Sequence, residues 1–178
     1  MNTIRYASGD SSLGPFVAAL SGRGLAFVAF DAGLTELEGR FPDADLVEDR
    51  AALAETIGKL TAMIDHPESD AGFTLDLQGS DFECRVWNAL REIPAGTTTT
   101  YGEIAARLGM PRQAREVGEA CAANKLAVIV PCHRVVKKDG SISGYRWGLR
   151  RKRKLLEREH RARLLQPVVA FPHGTAAS

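Results

Sequence analysis

The chain reads as a strand-rich N-terminal part and a helical part beyond residue 80, an order of segments that fits an α+β fold. Three observations carry that expectation. The first thirty residues alternate short apolar runs with turn signals, the charge reverses sign near residue 80, and after that point two short helical patterns are joined by a glycine-containing turn.

In order along the chain, residues 3–7, 15–21 and 25–30 read as strands separated by Ser8-Gly9-Asp10 and Gly22-Arg23-Gly24, a small antiparallel meander. Residues 34–40 and 47–64 are helical in pattern, with Leu53, Ile57, Leu60 and Ile64 at spacings of three and four. Leu75 and Leu77 form a short strand before Gly79. Ser80-Asp81-Phe82-Glu83 is a capping box, followed by an apolar stripe of Phe82, Val86 and Leu90 with Trp87 beside it; Ile93-Pro94-Ala95-Gly96 ends that helix. Thr100-Tyr101-Gly102-Glu103 caps a second helix that runs through Ile104 to Leu108 and stops at Gly109. Pro111 suits the first position of a third helix, whose buried face is Ala114, Val117, Gly118 and Cys121. The last two helices read as a helix-turn-helix, with a plain helical hairpin as the other reading. Asp139-Gly140 marks a turn, residues 143–148 a loop, and residues 149–165 a basic helix. The expected division is an N-terminal domain over 1–79, a second over 80–165, and a disordered tail over 166–178.

Composition narrows the class. With 44% hydrophobic and 25% charged residues the chain is an ordinary globular protein, able to bury a core. Its start has no signal-peptide pattern and no run approaches a membrane span, so a cytoplasmic location without membrane partners is expected. Cys84, Cys121 and Cys132 include no CxxC pair, which argues against a disulfide framework and against a cysteine-type structural zinc site. His66, His160 and His173 show no ligand spacing with them. The net charge of +1 hides an asymmetry: residues 1–79 carry 5 basic and 13 acidic groups, residues 80–178 carry 18 and 9. Either the second half faces a polyanion, or these are two solvated faces of opposite sign.

Chemistry concentrates in Val128-Ile129-Val130-Pro131-Cys132-His133-Arg134-Val135-Val136, which reads as a strand breaking at a proline to present a thiol. A cysteine is weakly ionised at neutral pH unless a base or positive charge is near, and His133 and Arg134 supply both. Adjacent side chains of a strand point to opposite faces, so either the backbone bends sharply here or a water carries the proton from Cys132 to His133. On the exposed side of the third helix lie Arg112, Arg115 and Glu119, followed by the small Ala122 and Ala123 that let a helix approach a duplex closely. There Arg115 reaches into the stack or a groove and Arg112 touches phosphate. Cys84 and Cys121 read as core thiols. Tyr101 and Asn124 have structural readings too, as a packing residue and a helix C-cap.

The motifs Pro131-Cys132-His133-Arg134-Val135-Val136 and Ser143-Gly144-Tyr145-Arg146-Trp147-Gly148 closely resemble those of the O6-alkylguanine-DNA alkyltransferases. So do Val86-Trp87, Ile93-Pro94-Ala95-Gly96 and Cys121-Ala122-Ala123-Asn124-Lys125-Leu126. The resemblance runs from about residue 4 to residue 160 and is nearest to the alkyltransferase half of the bacterial Ada-type proteins. It implies a ribonuclease-H-like first domain and a winged-helix-like second one. The activity implied is transfer of an alkyl group from guanine O6, or thymine O4, to the protein's own cysteine, once and without cofactor. The implied partner is double-stranded DNA containing O6-alkylguanine, met by a monomer. The target atom is inaccessible in a stacked duplex, so the base must be flipped out, at a cost of a few kcal/mol.

Residue by residue, the resemblance makes Cys132 the acceptor, His133 its partner through a water, and Glu159 the carboxylate that orients His133. Tyr101 helps turn the nucleotide out and donates to the guanine, and Asn124 is the hinge between recognition helix and acceptor. Arg115 is the finger that fills the vacated stack, with Arg112, Ala114, Ala122, Lys125 and Arg134 as further DNA contacts. Val135, Ser143, Gly144, Tyr145, Arg146 and Trp147 form the base pocket. Trp147 implies a tight pocket and a preference for small adducts such as methyl. Some relatives bind zinc through N-terminal cysteines; with none before Cys84, no metal is expected. The metal-binding acceptor and transcriptional modules of the full Ada-type regulator are absent from this sequence, so repair without direct promoter activation is expected. The competing readings are a non-catalytic binder of alkylated bases, a helix-turn-helix regulator sensing redox through Cys132, and a cysteine hydrolase.

Overall fold

The computed structural model describes residues 2–142 and 144–165, so the pocket role expected of Ser143 and the disorder expected of residues 166–178 lie outside the described residues. The architecture is mixed α+β. Strands β1 (Asn2–Gly9), β2 (Phe16–Ser21) and β3 (Gly24–Phe30) form the expected antiparallel meander. A fourth strand, β4 (Ala44–Glu48), adds parallel to β1 and gives the sheet order β3-β2-β1-β4.

Helix α1 (Leu34–Arg40) lies where expected, but the helix expected over 47–64 starts late. Val47 and Glu48 pair with Arg5 and Tyr6 in the sheet, and α2 (Arg50–Asp65) begins only after Asp49, whose side chain accepts from the Ala52 amide. A cap residue satisfies an otherwise orphaned amide, which sets the helix start more firmly than apolar spacing does. Leu53, Leu60 and Ile64 are the buried residues of α2. The strand expected at Leu75 and Leu77 reduces to a single bridge between Leu75 and Leu25.

Beyond residue 80 come α3 (Asp81–Arg91), α4 (Tyr101–Arg107) and α5 (Ala114–Ala122). Ser80 with Glu83, and Thr100 with Glu103, close the two capping boxes. The start expected at Pro111 is displaced: residues 110–113 form a turn, and α5 opens at Ala114 behind Gln113. Val86 and Leu90 of α3, Ile104 and Ala105 of α4, and Val117, Ala120 and Cys121 of α5 are buried. The Trp87 indole ties α3 to α5 by donating to the Ala120 carbonyl at 2.8 Å. A last helix, α6 (Leu149–Leu165), follows the loop around Gly144.

Two connections position the site. The Val28 amide of β3 donates to the Lys125 carbonyl at 2.8 Å, and the Ala127 amide donates back to Val28 at 2.9 Å, so the sheet edge grips the chain just before the cysteine segment. After that segment a short strand β6 (Val135–Val136) pairs in parallel with β5 (Thr99–Thr100). One continuous buried cluster runs through both halves of the chain.

Candidate active site

The segment before Cys132 is a set of turns where a strand was expected. Asn124, buried to 1% exposure, organises it: its Oδ1 accepts from the Leu126 amide at 2.9 Å, and its Nδ2 donates to the Val130 carbonyl at 3.1 Å and lies 3.3 Å from the Cys132 sulfur. Val128 takes φ +68°, a left-handed conformation that costs a non-glycine residue about 1–2 kcal/mol. The bonds of Asn124, the Val130-to-Leu126 bond at 3.0 Å and the grip of β3 hold it there. Leaving αL at Val128 would break this set, which is why the sequence's β-branched run does not extend into a strand.

Cys132, His133 and Arg134 then form one 3-10 turn, so the backbone bends sharply, yet the bend makes no direct hydrogen bond from Cys132 to His133. His133 is fully buried, and its Nε2 lies 2.7 Å from Glu159 Oε1 on α6. Glu159 also accepts from Arg134, whose Nη2 is 2.8 Å from Oε1 and whose Nε is 3.1 Å from Oε2. Burial resists the charge on Glu159, but the bonds from His133 and Arg134 outweigh it and hold the carboxyl below its ordinary value. Burial lowers the His133 pKa against the pull of Glu159. The consistent state is therefore a carboxylate balanced by the Arg134 guanidinium, with a neutral imidazole donating from Nε2. In that tautomer Nδ1 carries the lone pair, and Nδ1 is buried without a protein hydrogen-bond partner. Burial pushes the Cys132 thiol up, opposed by the Asn124 bond and by Lys152, so the resting sulfur is a neutral thiol.

Cys132 opens into a cavity of about 220 Å³ lined by Tyr101, Gly118, Cys121, Ala122, Gly144, Tyr145 and Arg146. The opening lies against α5. Larger clefts, such as one of about 600 Å³ behind Arg134, contain no cysteine. The Arg146 guanidinium crosses from the pocket loop to the Ala122 carbonyl at the end of α5, 3.2 Å away. The Tyr145 hydroxyl is buried without a hydrogen-bond partner, and its ring stands edge-on to His133 at 6.5 Å.

The structure brings together Cys132, His133, Glu159, Asn124, Tyr101, Gly144, Tyr145, Arg146 and Ala122. It separates others. Arg134, expected to contact DNA, is 9% exposed and spends its donors on Glu159 and on the Ile93 and Pro67 carbonyls, so it is a core counter-ion. The Val135 side chain is fully buried in β6, so only its main chain is left for the pocket role that the resemblance implies. Trp147 likewise lies behind the wall, 5.3 Å from the Tyr145 ring, and lines clefts on the far side, so it does not narrow the pocket directly. Arg112 and Arg115 project from the helix pair; the Arg115 side chain is 88% exposed, with Glu119 at 3.6 Å. Ala114 lines a cleft with Lys137 and Lys138, and Lys125 a separate one with Arg40 and Arg146.

Two residues of the site escaped the sequence reading. Cys121 is a cavity wall, although its thiol, pushed up to about 12 by burial, is inert. Lys152, hidden in the run Arg150-Arg151-Lys152-Arg153-Lys154, is fully buried. Its signal was there: Lys152, Leu155 and Glu159 fall on one helical face at spacings of three and four. Among the described residues no cluster of three or more histidine, cysteine or acidic side chains is placed to hold a metal ion.

Fold and site together define a protein with a buried, cavity-lining cysteine thiol next in sequence to an imidazole already oriented by a carboxylate, set behind the second helix of a helix pair. The comparisons narrow this. Residues 81–161 match the family model described as the 6-O-methylguanine DNA methyltransferase DNA-binding domain. The methylated-DNA--protein-cysteine methyltransferase of Mycobacterium tuberculosis is 40% identical over 158 residues, which cover 88% of this chain and 92% of that protein. The bifunctional transcriptional activator/DNA repair enzyme Ada of Escherichia coli is 42% identical over 160 residues, 88% of this chain but 45% of that protein, so the chain spans about half of Ada's length. The crystal structure of Mycobacterium tuberculosis OGT in complex with DNA superposes with a TM-score of 0.75 at 36% identity, covering 88% of this chain and 93% of that one. The chain belongs to the methylated-DNA--protein-cysteine methyltransferase family.

Proposed function

We propose that this protein repairs DNA by direct reversal, taking the alkyl group of O6-alkylguanine, and of O4-alkylthymine, onto Cys132 in a single irreversible event. The observation that carries the proposal is the pairing of a cavity-lining thiol with a buried imidazole whose Nε2 is committed to Glu159. His133 Nδ1 accepts the thiol proton through a water, the sulfur attacks the alkyl carbon, and the guanine leaves with the bonding pair. The product is a thioether at an sp3 carbon. It offers water no acyl centre, so the protein is consumed.

The flipped base enters the 220 Å³ cavity beside Tyr101, which donates to the guanine as negative charge develops on it. Arg115, exposed on α5, fills the vacated stack, and Arg112 rests on phosphate. Ala114 and Ala122 let the helix approach closely, and Lys125 adds positive charge beside it. Gly144, Tyr145 and Arg146 hold the base, while Asn124 holds the sulfur. No cofactor takes part, and the protein acts as a monomer on duplex DNA.

The finer description of the fold belongs to the same proposal: a ribonuclease-H-like domain over residues 1–79 and a winged-helix-like domain over 80–165. The parallel addition of β4 to an antiparallel meander supports the first, and the α4–α5 pair flanked by β5 and β6 supports the second. A cytoplasmic location is supported by three free cysteines; no helix among the described residues is long and apolar enough to cross a membrane.

The test is mass spectrometry of the intact chain and its peptides after incubation with a duplex containing one O6-methylguanine. One methyl on Cys132 per protein molecule, and none in Cys132→Ser, is the expected result. Binding without mass gain would instead identify a non-catalytic damage binder or a regulator, and repeated turnover of an ester a hydrolase.

A further inference from the structure

α6 buries three side chains on one face: Lys152, Leu155 and Glu159. The same helix therefore delivers a cation and an anion to the core, a turn or two apart. The anion is Glu159, committed to His133 and Arg134. The cation has no exposed surface, and its Nζ donates to the Gly144 carbonyl at 3.3 Å. Gly144 and Cys132 are walls of one cavity, so the ammonium is bonded to the wall of the cavity that holds the sulfur.

On the alkyl-transfer reading above, we propose that Lys152 is a positioning residue whose buried ammonium stabilises the sulfur of Cys132 as it becomes a thiolate, from the same bond that fixes the Gly144 carbonyl of the pocket. The chemistry needs such a charge. As the thiol proton leaves for His133, the negative sulfur stands in a site from which water is largely excluded, where an opposite charge acts far more strongly than in solvent. The sulfur–carbon bond then forms, the carbon–O6 bond breaks with its electron pair going to guanine, and guanine takes up a proton in exchange. Lys152 keeps all its protons throughout; it acts by charge alone.

Burial resists ionisation of the sulfur, and against it act the Asn124 hydrogen bond, then the charge of Lys152, the backbone at Cys132 and the charge of Arg146. Reciprocally, burial lowers the Lys152 pKa, and Cys132, then Cys121, pull it back up. Arg146 is exposed at the mouth, where solvent weakens its influence, whereas Lys152 is not. The arrangement also explains why a run of five basic residues sends one of them inward.

The test compares wild type with Lys152→Met, Lys152→Gln and Lys152→Arg in the full chain, without DNA. The readout is the pH dependence of Cys132 carbamidomethylation by iodoacetamide, followed at peptide level so that Cys84 and Cys121 are counted separately. The proposal expects both neutral variants to move the profile up by about one pH unit, about tenfold less thiolate at a given pH, with Arg restoring most of it. Methyl transfer should fall in parallel. Neutral variants with an unmoved profile, whatever their transfer rate, would overturn it, since loss of the Gly144 bond alone slows transfer without changing thiol ionisation. A readout that needs no substitution is the side-chain amine resonance of Lys152 in wild type, which must shift as Cys132 ionises; a resonance indifferent to that ionisation overturns the proposal equally. If the profile shifts while wild type takes no methyl from DNA, the functional reading fails and the Lys152–Cys132 coupling stands.

Discussion

Replacing Glu159 by Gln removes one charge and almost no volume, and it bears on both stability and chemistry. Glu159 is 1% exposed and answers two buried partners, His133 at 2.7 Å and Arg134 at 2.8 Å. With the carboxylate gone, the Arg134 guanidinium keeps the Ile93 and Pro67 carbonyls and at most a neutral amide oxygen, leaving a buried cation without its anion. Breaking a buried pair from one side costs about 3–5 kcal/mol. For a chain of this size about 2–4 °C of Tm goes with each kcal/mol, so a fall of roughly 6–20 °C is expected. The amide can still accept from His133 Nε2, but it no longer enforces that tautomer. Transfer to Cys132 should therefore slow by about 10²–10⁴, the usual span of a general base. Denaturant unfolding and single-turnover methyl transfer from a duplex give the two numbers. Adding Arg134→Met should recover part of the stability and none of the rate. A Glu159→Gln protein as stable and as fast as wild type would refute both the buried-charge argument and the assigned tautomer.

Asn124→Ala should cost about 2–6 kcal/mol, because the Leu126 amide and Val130 carbonyl each lose a partner worth about 1–3 kcal/mol, and should also slow transfer; urea unfolding checks the first. Arg115→Ala, at a solvent-exposed position, should leave stability within about 0.5 kcal/mol. It should slow repair in duplex far more than reaction with a free O6-alkylguanine base, and equal losses on both would remove the finger role. Because burial lowers the His133 pKa, the acid limb of the rate profile should fall below its ordinary value of 6.5; a limb at or above 6.5 would contradict the neutral imidazole. Glu159, held below its ordinary 4.5, contributes stability that is fully present above pH 4.5 and is lost as pH falls through the lower folded value; unfolding free energies over that range measure it.

Much of this was legible in the residues. Capping boxes at Ser80 and Thr100, apolar spacings in α2 and α3, and turn glycines set the helices, because those signals are local. The strand β4 was not legible: five residues with two acids inside carry no strand pattern of their own and fold as they do because β1 offers an open edge. Arg134 and Lys152 misled for a common reason, since charged side chains usually face solvent and only tertiary placement, opposite Glu159 or beside the cavity of Cys132, turns them inward. Cys132 and His133 stood out from the residues themselves and Glu159 from the motif resemblance, while the tautomer and the buried charge balance required coordinates. Trp147 shows the limit of reading a loop as a lining: its neighbours Tyr145 and Arg146 form the wall, and its own ring supports them from behind.

A 3-10 turn completes itself in three residues, so successive side chains leave its axis about 120° apart. In the turn of residues 132–134 this sends the sulfur to the cavity, the imidazole into the core against Glu159, and the guanidinium past the same carboxylate toward the cleft lined by Pro67 and Ile93. Nucleophile, base and counter-ion are thereby locked to one angular frame, with no slack between them. Inserting one residue anywhere in the turn would rotate every later group by a third of a circle, so a chain carrying it would keep all three side chains and lose all three addresses. Such a frame tolerates substitution far better than it tolerates a change in length.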